Sequence, residues 1–169
     1  MPVALPWSVP VAHEVISTEI AAANAFYGDD GLGATAMLPI LHALQHTFGF
    51  VSPDAVPLIA DRLNVSKAEV RGVISFYHDF HHTPPGRHVV KLCRAEACQS
   101  TGSERVAAHL ARAHALHPGT TTGHVTLQNV YCLGNCALGP AALVDDELVA
   151  GFDEHAADML LARLQGHVT

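Results

Sequence analysis

Four cysteines, set as two close pairs in the second half of the chain, restrict this sequence more than any other feature it has. They read Cys93-x4-Cys98 and Cys132-x3-Cys136, with thirty-three residues between the pairs. What cysteines are for depends on compartment. The opening Met1-Pro2-Val3-Ala4-Leu5-Pro6-Trp7 has no positively charged segment, and its prolines interrupt any apolar one, so it does not read as a secretory signal. No apolar run approaches the ~20 residues that cross a bilayer, so no membrane span is expected. The expected location is cytoplasmic. In reducing cytosol disulfides rarely persist, and grouped cysteines point to metal or cluster ligation.

The first half of the chain has helical periodicity throughout. Residues 13–27 space Val15, Ile16, Ile20, Ala23 and Phe26 for a helix ending at Gly28, and Asp29 to Gly33 reads as a turn. Ala36 to Phe48 carries Met37, Leu38, Leu41, Leu44 and Phe48 at helical spacing, stopped by Gly49. Ser52-Pro53-Asp54 predicts a helix start with Ser52 as N-cap and Pro53 in the first position. Ser66-Lys67-Ala68-Glu69 is a capping box ahead of Val70, Val73, Ile74 and Tyr77.

Thr83-Pro84-Pro85-Gly86 breaks that pattern, and we place a boundary there, with a helical region over 1–83 and a second domain over 84–169. Beyond it, residues 88–92 and 125–130 read as strands leading into Cys93 and Cys132. Residues 141–144 and 148–150 flank Asp145-Asp146-Glu147 as a hairpin. Helices are expected over 102–116, starting close to Cys98, and over 153–165, capped by Asp153. The fold class is α/β, an α-helical bundle followed by a compact layered domain.

Each cysteine pair sits where a predicted strand runs into a loop, so the four sulfurs can meet at one end of a sheet. Two pairs suit a [2Fe–2S] cluster, one pair per iron, and nearby Gly102, Gly134 and Gly139 open the backbone to the sulfurs. Spacing alone also admits a structural zinc site, although zinc knuckles favour Cys-x2-Cys and shorter separations, or four unrelated buried thiols.

The segments Leu92-Cys93-Arg94-Ala95-Glu96-Ala97-Cys98-Gln99 and Tyr131-Cys132-Leu133-Gly134-Asn135-Cys136-Ala137-Leu138-Gly139-Pro140 resemble the thioredoxin-like [2Fe–2S] ferredoxin family, that of the 24-kDa subunit of NADH:quinone oxidoreductase. Leu38 to Gln45 and Gly72 to Tyr77 extend the resemblance, which covers about residues 35–152. Within the family, the Arg94-Ala95-Glu96-Ala97 loop is similar to that of the gamma subunit of soluble, molybdenum-containing, NAD-dependent formate dehydrogenases. The resemblance implies a thioredoxin-like second domain and a [2Fe–2S] cluster on Cys93, Cys98, Cys132 and Cys136. It also implies docking on a flavin subunit that carries FMN and binds NAD(H), and through it on a molybdenum- and iron–sulfur-containing catalytic subunit. The chain would then be an electron-transfer component of an NAD-dependent formate dehydrogenase, with no catalytic residue and no stand-alone catalysis of its own. The equivalent subunit of an NADH:quinone oxidoreductase or an NAD-reducing hydrogenase is the alternative within the class, and a zinc-stapled assembly module the alternative outside it.

Other features point elsewhere only weakly. The formal net charge is −7, with sixteen acids against nine Lys and Arg and no basic cluster, which excludes a nucleic-acid footprint. Charged residues are only 15% of the chain, which fits either an alanine-rich composition or a surface covered by a partner. Of thirteen histidines, His42 with His46 and His78, His81 and His82 crowd together, yet no acid or cysteine completes either set at a familiar metal spacing. Gly28 to Gly33 follows a helix and not a strand, so it is read as a connector and not as a phosphate loop. Phe76, Tyr77 and Phe80 are expected to pack in the core, or failing that to offer a docking surface; Arg94 and Glu96 are either a solvated pair or a pair that tunes the cluster or meets the partner.

Overall fold

The structure is a computed structural model, and it describes residues 5–28 and 33–165. These fall into two compact units, residues 1–84 and 85–169, each described by itself.

The first unit is helical. It contains α1 (Val9–Tyr27), a short 3-10 turn (Gly33–Ala36), α2 (Met37–Phe48), α3 (Ala55–Leu63) and α4 (Lys67–Phe76). Helix α1 begins four residues earlier than its periodicity indicates, because Pro10 fits the first turn, where a backbone donor is not needed. Of the expected turn over Asp29 to Gly33, residues 29–32 lie outside the described residues, and Gly33 opens the 3-10 turn. Ser52 does not cap a helix that begins at Pro53. Its carbonyl accepts from the Ala55 amide at 2.9 Å in a preliminary turn, and α3 starts only at Ala55. The capping box at α4 is present in full: the Glu69 amide donates to Ser66 Oγ at 3.1 Å, and the Ser66 amide donates to Glu69 Oε2 at 2.8 Å. Ile16, Ile40, Leu41, Leu44, Phe48 and Ile59 are among the buried side chains that make one core.

The second unit is a five-stranded mixed sheet with helices. It comprises β1 (His88–Cys93), α5 (Glu96–Thr101), α6 (Ser103–His114), β2 (Thr121–Thr122), β3 (Val125–Val130), β4 (Ala142–Val144), β5 (Glu147–Val149) and α7 (Glu154–Gln165). The strand order is β2-β3-β1-β4-β5. Strand β1 lies parallel to β3 and antiparallel to β4, and the β4–β5 hairpin closes the far edge. Its turn residues Asp145 and Asp146 both have positive φ, as a tight hairpin turn requires. Asp145 also anchors the turn to β1, accepting from the Val89 amide at 2.8 Å and pairing with His88 Nδ1 at 2.6 Å. The core joins Leu92 and Leu127 from the sheet to Val106 and Leu110 of α6 and Leu161 of α7.

The helix expected over 102–116 is present as α6 (Ser103–His114), and a further short helix that was not expected precedes it. Residues 96–101 form α5, which ends at Gly102 with φ of 116°, and α6 starts from there. Asp153 caps α7 as expected, accepting from the Ala156 amide at 2.8 Å.

Candidate functional site: four thiols at one end of the sheet

Two parallel neighbours place their C-terminal ends on the same edge of the sheet. Cys93 closes β1 level with Val130, the last residue of β3, and Cys132 follows two residues later. The Cys93 amide donates to Ala141 O at 3.0 Å and the Arg94 amide to Val130 O at 2.8 Å, so the sheet pairing persists up to the first cysteine loop. Cys98 sits on α5, whose first turn the Gln99 amide closes on Ala95 O at 2.9 Å. Cys136 opens a short 3-10 turn.

The four sulfurs are brought together. They interact in two pairs, Cys93 with Cys98 and Cys132 with Cys136, and Cys136 also lies close enough to feel charge on Cys93 and Cys98. All four thiols are free. Cys93 and Cys98 are 2% exposed, packed with Ala141 and the partly buried Ala95, Val130 and Leu133, while Cys132 and Cys136 are exposed.

Charge is distributed unevenly among them. Burial pushes the Cys93 thiol up, but hydrogen bonds from the backbone of Ala95, Cys132 and Leu133 and from the Cys98 side chain outweigh it, and the net shift is downward. Cys98 is raised by burial and by its hydrogen bond to Cys93, against a lowering hydrogen bond from the Ala141 backbone. Cys136 is raised by its hydrogen bond to, and repulsion from, Cys132. Sulfurs packed this closely repel one another once ionised, and a cation bound among them would relieve that repulsion. The Gly134 amide adds a donor to Cys132 Sγ at 3.4 Å.

Two backbone features hold the exposed loop. Cys132 has φ of 84°, a conformation costing about 1–3 kcal/mol for a residue with a side chain. Gly139 gives room: a Cβ there would stand 2.9 Å from Thr101 Oγ1 and 3.4 Å from Cys98 Sγ.

Arg94 is not a free loop charge. Its guanidinium pairs with Glu104 on α6, Nη2 to Oε1 at 2.6 Å, and reaches Asn129 Oδ1 at 3.4 Å, while Gln99 Nε2 donates to Arg94 O at 2.7 Å. The Ser100 hydroxyl donates back to Ala97 O at 2.8 Å. Of the aromatic group, only Phe80 enters the helical core, its ring tilted at 58° to that of His42 at 5.0 Å, and Phe76 and Tyr77 are exposed. The donors Cys132 and Leu133 are not legible in the sequence, since they reach Cys93 only through the β1–β3 pairing.

A layered α/β unit that gathers four thiols at the ends of two parallel strands defines a small thiolate-ligated metal or cluster domain. Residues 24–165 match the thioredoxin-like [2Fe-2S] ferredoxin family. A subunit of the NADH-quinone oxidoreductase of Escherichia coli (strain K12) is 35% identical over 130 residues, 76% of this chain and 78% of that relative. The NADH-quinone oxidoreductase subunit 2 of Thermus thermophilus is 32% identical over 125 residues, 73% of this chain and 68% of that protein. Among solved structures, an NAD+-reducing [NiFe]-hydrogenase in the air-oxidized state superposes with a TM-score of 0.63 at 24% identity, covering 79% of this chain and 23% of the hydrogenase chain, a likeness of fold. The chain belongs to the thioredoxin-like [2Fe–2S] ferredoxin family, and its cofactor is a [2Fe–2S] cluster. The donor set fits that group: two pairs of thiols match one pair per iron, and backbone amides are aimed at the sulfurs.

Proposed function

We propose that this chain is an electron-transfer subunit of an NAD(H)-linked oxidoreductase complex, with Cys93 and Cys98 on one iron of its cluster and Cys132 and Cys136 on the other. The observation that carries the reading is the asymmetry of the thiol set, buried on one side and open on the other. When bound, the cluster supplies one-electron chemistry. The chain's own residues do the rest. Backbone donors from Ala95, Cys132 and Leu133 favour the thiolate form of Cys93, the Ala141 backbone supports that of Cys98, and the packing around Cys93 and Cys98 excludes water from that half.

The exposed half faces a partner. Tyr131 and Leu138 flank Cys132 and Cys136 and are 72% and 60% exposed, so the ligand loop carries apolar surface of the kind found at the centre of interfaces. A flavin subunit holding FMN and binding NAD(H) is the occupant this reading assigns, and the low content of charged side chains agrees with a covered surface. The complex is read as cytoplasmic, and the helical unit over 1–83 and the cluster domain over 84–169 are read as separate domains.

The catalytic partner is read as a molybdenum formate dehydrogenase subunit, on the likeness of the Arg94-Ala95-Glu96-Ala97 loop. Purification of the complex through a tag on this chain, followed by flavin and metal analysis, tests it. Flavin, molybdenum and formate-dependent NAD+ reduction are the expected result. Nickel in place of molybdenum would move the chain to a hydrogenase, a quinone-reducing activity to a respiratory complex, and zinc without iron would end the electron-transfer reading.

A further inference from the structure

Away from the cysteines, α6 and α7 pack side by side and bring three metal-competent side chains together. His109 Nε2 and His114 Nε2 each lie 2.7 Å from the same oxygen, Asp158 Oδ1. The two rings meet edge to face at 5.7 Å, and the donor atoms of all three residues fall within 4.8 Å of one another. We propose that His109, His114 and Asp158 form a second metal site, separate in its ligands from the cluster, that takes a borderline divalent cation such as Zn2+.

The chemistry of the set selects the ion. Two imidazole nitrogens and one carboxylate oxygen suit zinc and its neighbours among the transition metals, whereas magnesium and calcium prefer oxygen alone. The geometry is near what such an ion needs. Ligand bonds of about 2.0–2.1 Å at tetrahedral angles put donor atoms about 3.3 Å apart. The two Nε2–Oδ1 separations of 2.7 Å are those of hydrogen bonds, so Asp158 would back away by about 0.6 Å as the ion replaces the shared protons. Its side chain is 47% exposed and has the freedom to do so, while the two histidines are held more firmly at 21% and 26%. Both histidines come from one helix, five residues apart, and His114 is its last residue, followed by Ala115 in the left-handed conformation. The fourth position is left to water, an open site on the protein surface. An ion there would clamp the end of α6 to α7.

The test uses the cluster-loaded chain, in which the cysteines are already occupied. Zinc is titrated by equilibrium dialysis while the histidine ring nitrogens are followed by 1H–15N correlation spectra. One zinc per chain beyond the cluster iron is expected, with the Nε2 resonances of His109 and His114 moving together as it binds. His114→Gln and Asp158→Asn should each weaken binding by about tenfold or more, while His42, His46, His78, His81 and His82 remain as internal controls. Zinc retained equally by both variants, or wild-type rings that do not respond to one equivalent, would overturn the site. The ring response in the wild type decides the matter even if a variant fails to fold.

Discussion

Cys93 and Cys98 stand on regular structure, one ending the central β1 and the other in α5, and both are buried. Cys132 and Cys136 stand in an exposed loop beyond β3, held by a positive φ at Cys132, a positive φ at Gly134 and a short 3-10 turn. One half of the site is therefore positioned by strand pairing and core packing, and the other by local backbone chemistry. The difference suits a redox centre. In the proposed reading the buried half would fix the cluster and keep water off it, and the open half would give electrons a short way to a partner.

That contrast can be broken by substitution, and the largest effects are expected at the four cysteines. Cys93→Ser or Cys98→Ser is expected to abolish the cluster, because a buried pocket built around a thiolate has no means to adapt. Cys132→Ser, in an exposed loop with room to shift, is expected to keep a reduced cluster content with an altered paramagnetic signal. Iron analysis beside the spectrum checks both, and equal behaviour of the two halves would contradict the asymmetry. Next comes Gly139→Val, which presses on Thr101 and Cys98 Sγ and should destabilise by about 1–3 kcal/mol in denaturant unfolding, with iron content falling alongside.

Gly134→Ala separates backbone strain from steric crowding. No atom lies within 4 Å of a Cβ there, yet φ is 76°, so the expected cost of about 1–2 kcal/mol comes from conformation alone. Melting of the cluster absorbance should report it. Ser66→Ala probes the helical unit, removing the N-cap of α4 at a cost of about 1 kcal/mol with an unchanged cluster spectrum. The smallest effect is expected from Arg94→Ala. Its partner Glu104 is half exposed, so the pair contributes about 0.2–1 kcal/mol, and raised salt should shrink the difference from wild type.

The same two halves explain what was legible beforehand. The cysteines and the strands feeding them stood out because residue type and alternation are local properties, and so did the capping box at Ser66 and the cap at Asp153. Helix α5 did not, since Glu96 to Thr101 has no apolar periodicity and Gly102 reads equally as the end of one helix or the start of another. Strand β2 is only Thr121 and Thr122, too short for any alternation, and it exists through pairing with Val125 and Thr126. Besides the local Ala95 backbone, the backbone donors to Cys93 are Cys132 and Leu133, about forty positions downstream. His109, His114 and Asp158 were missed for a related reason: a spacing of five is not a familiar ligand interval, and their carboxylate arrives from another helix.

Electron paramagnetic resonance of the anaerobically purified, dithionite-reduced chain, with iron counted on the same sample, tests the central claim most directly. The account predicts a rhombic S = ½ signal at about two irons per chain, as one four-cysteine [2Fe–2S] site requires. A silent sample carrying zinc on the same cysteines would contradict it.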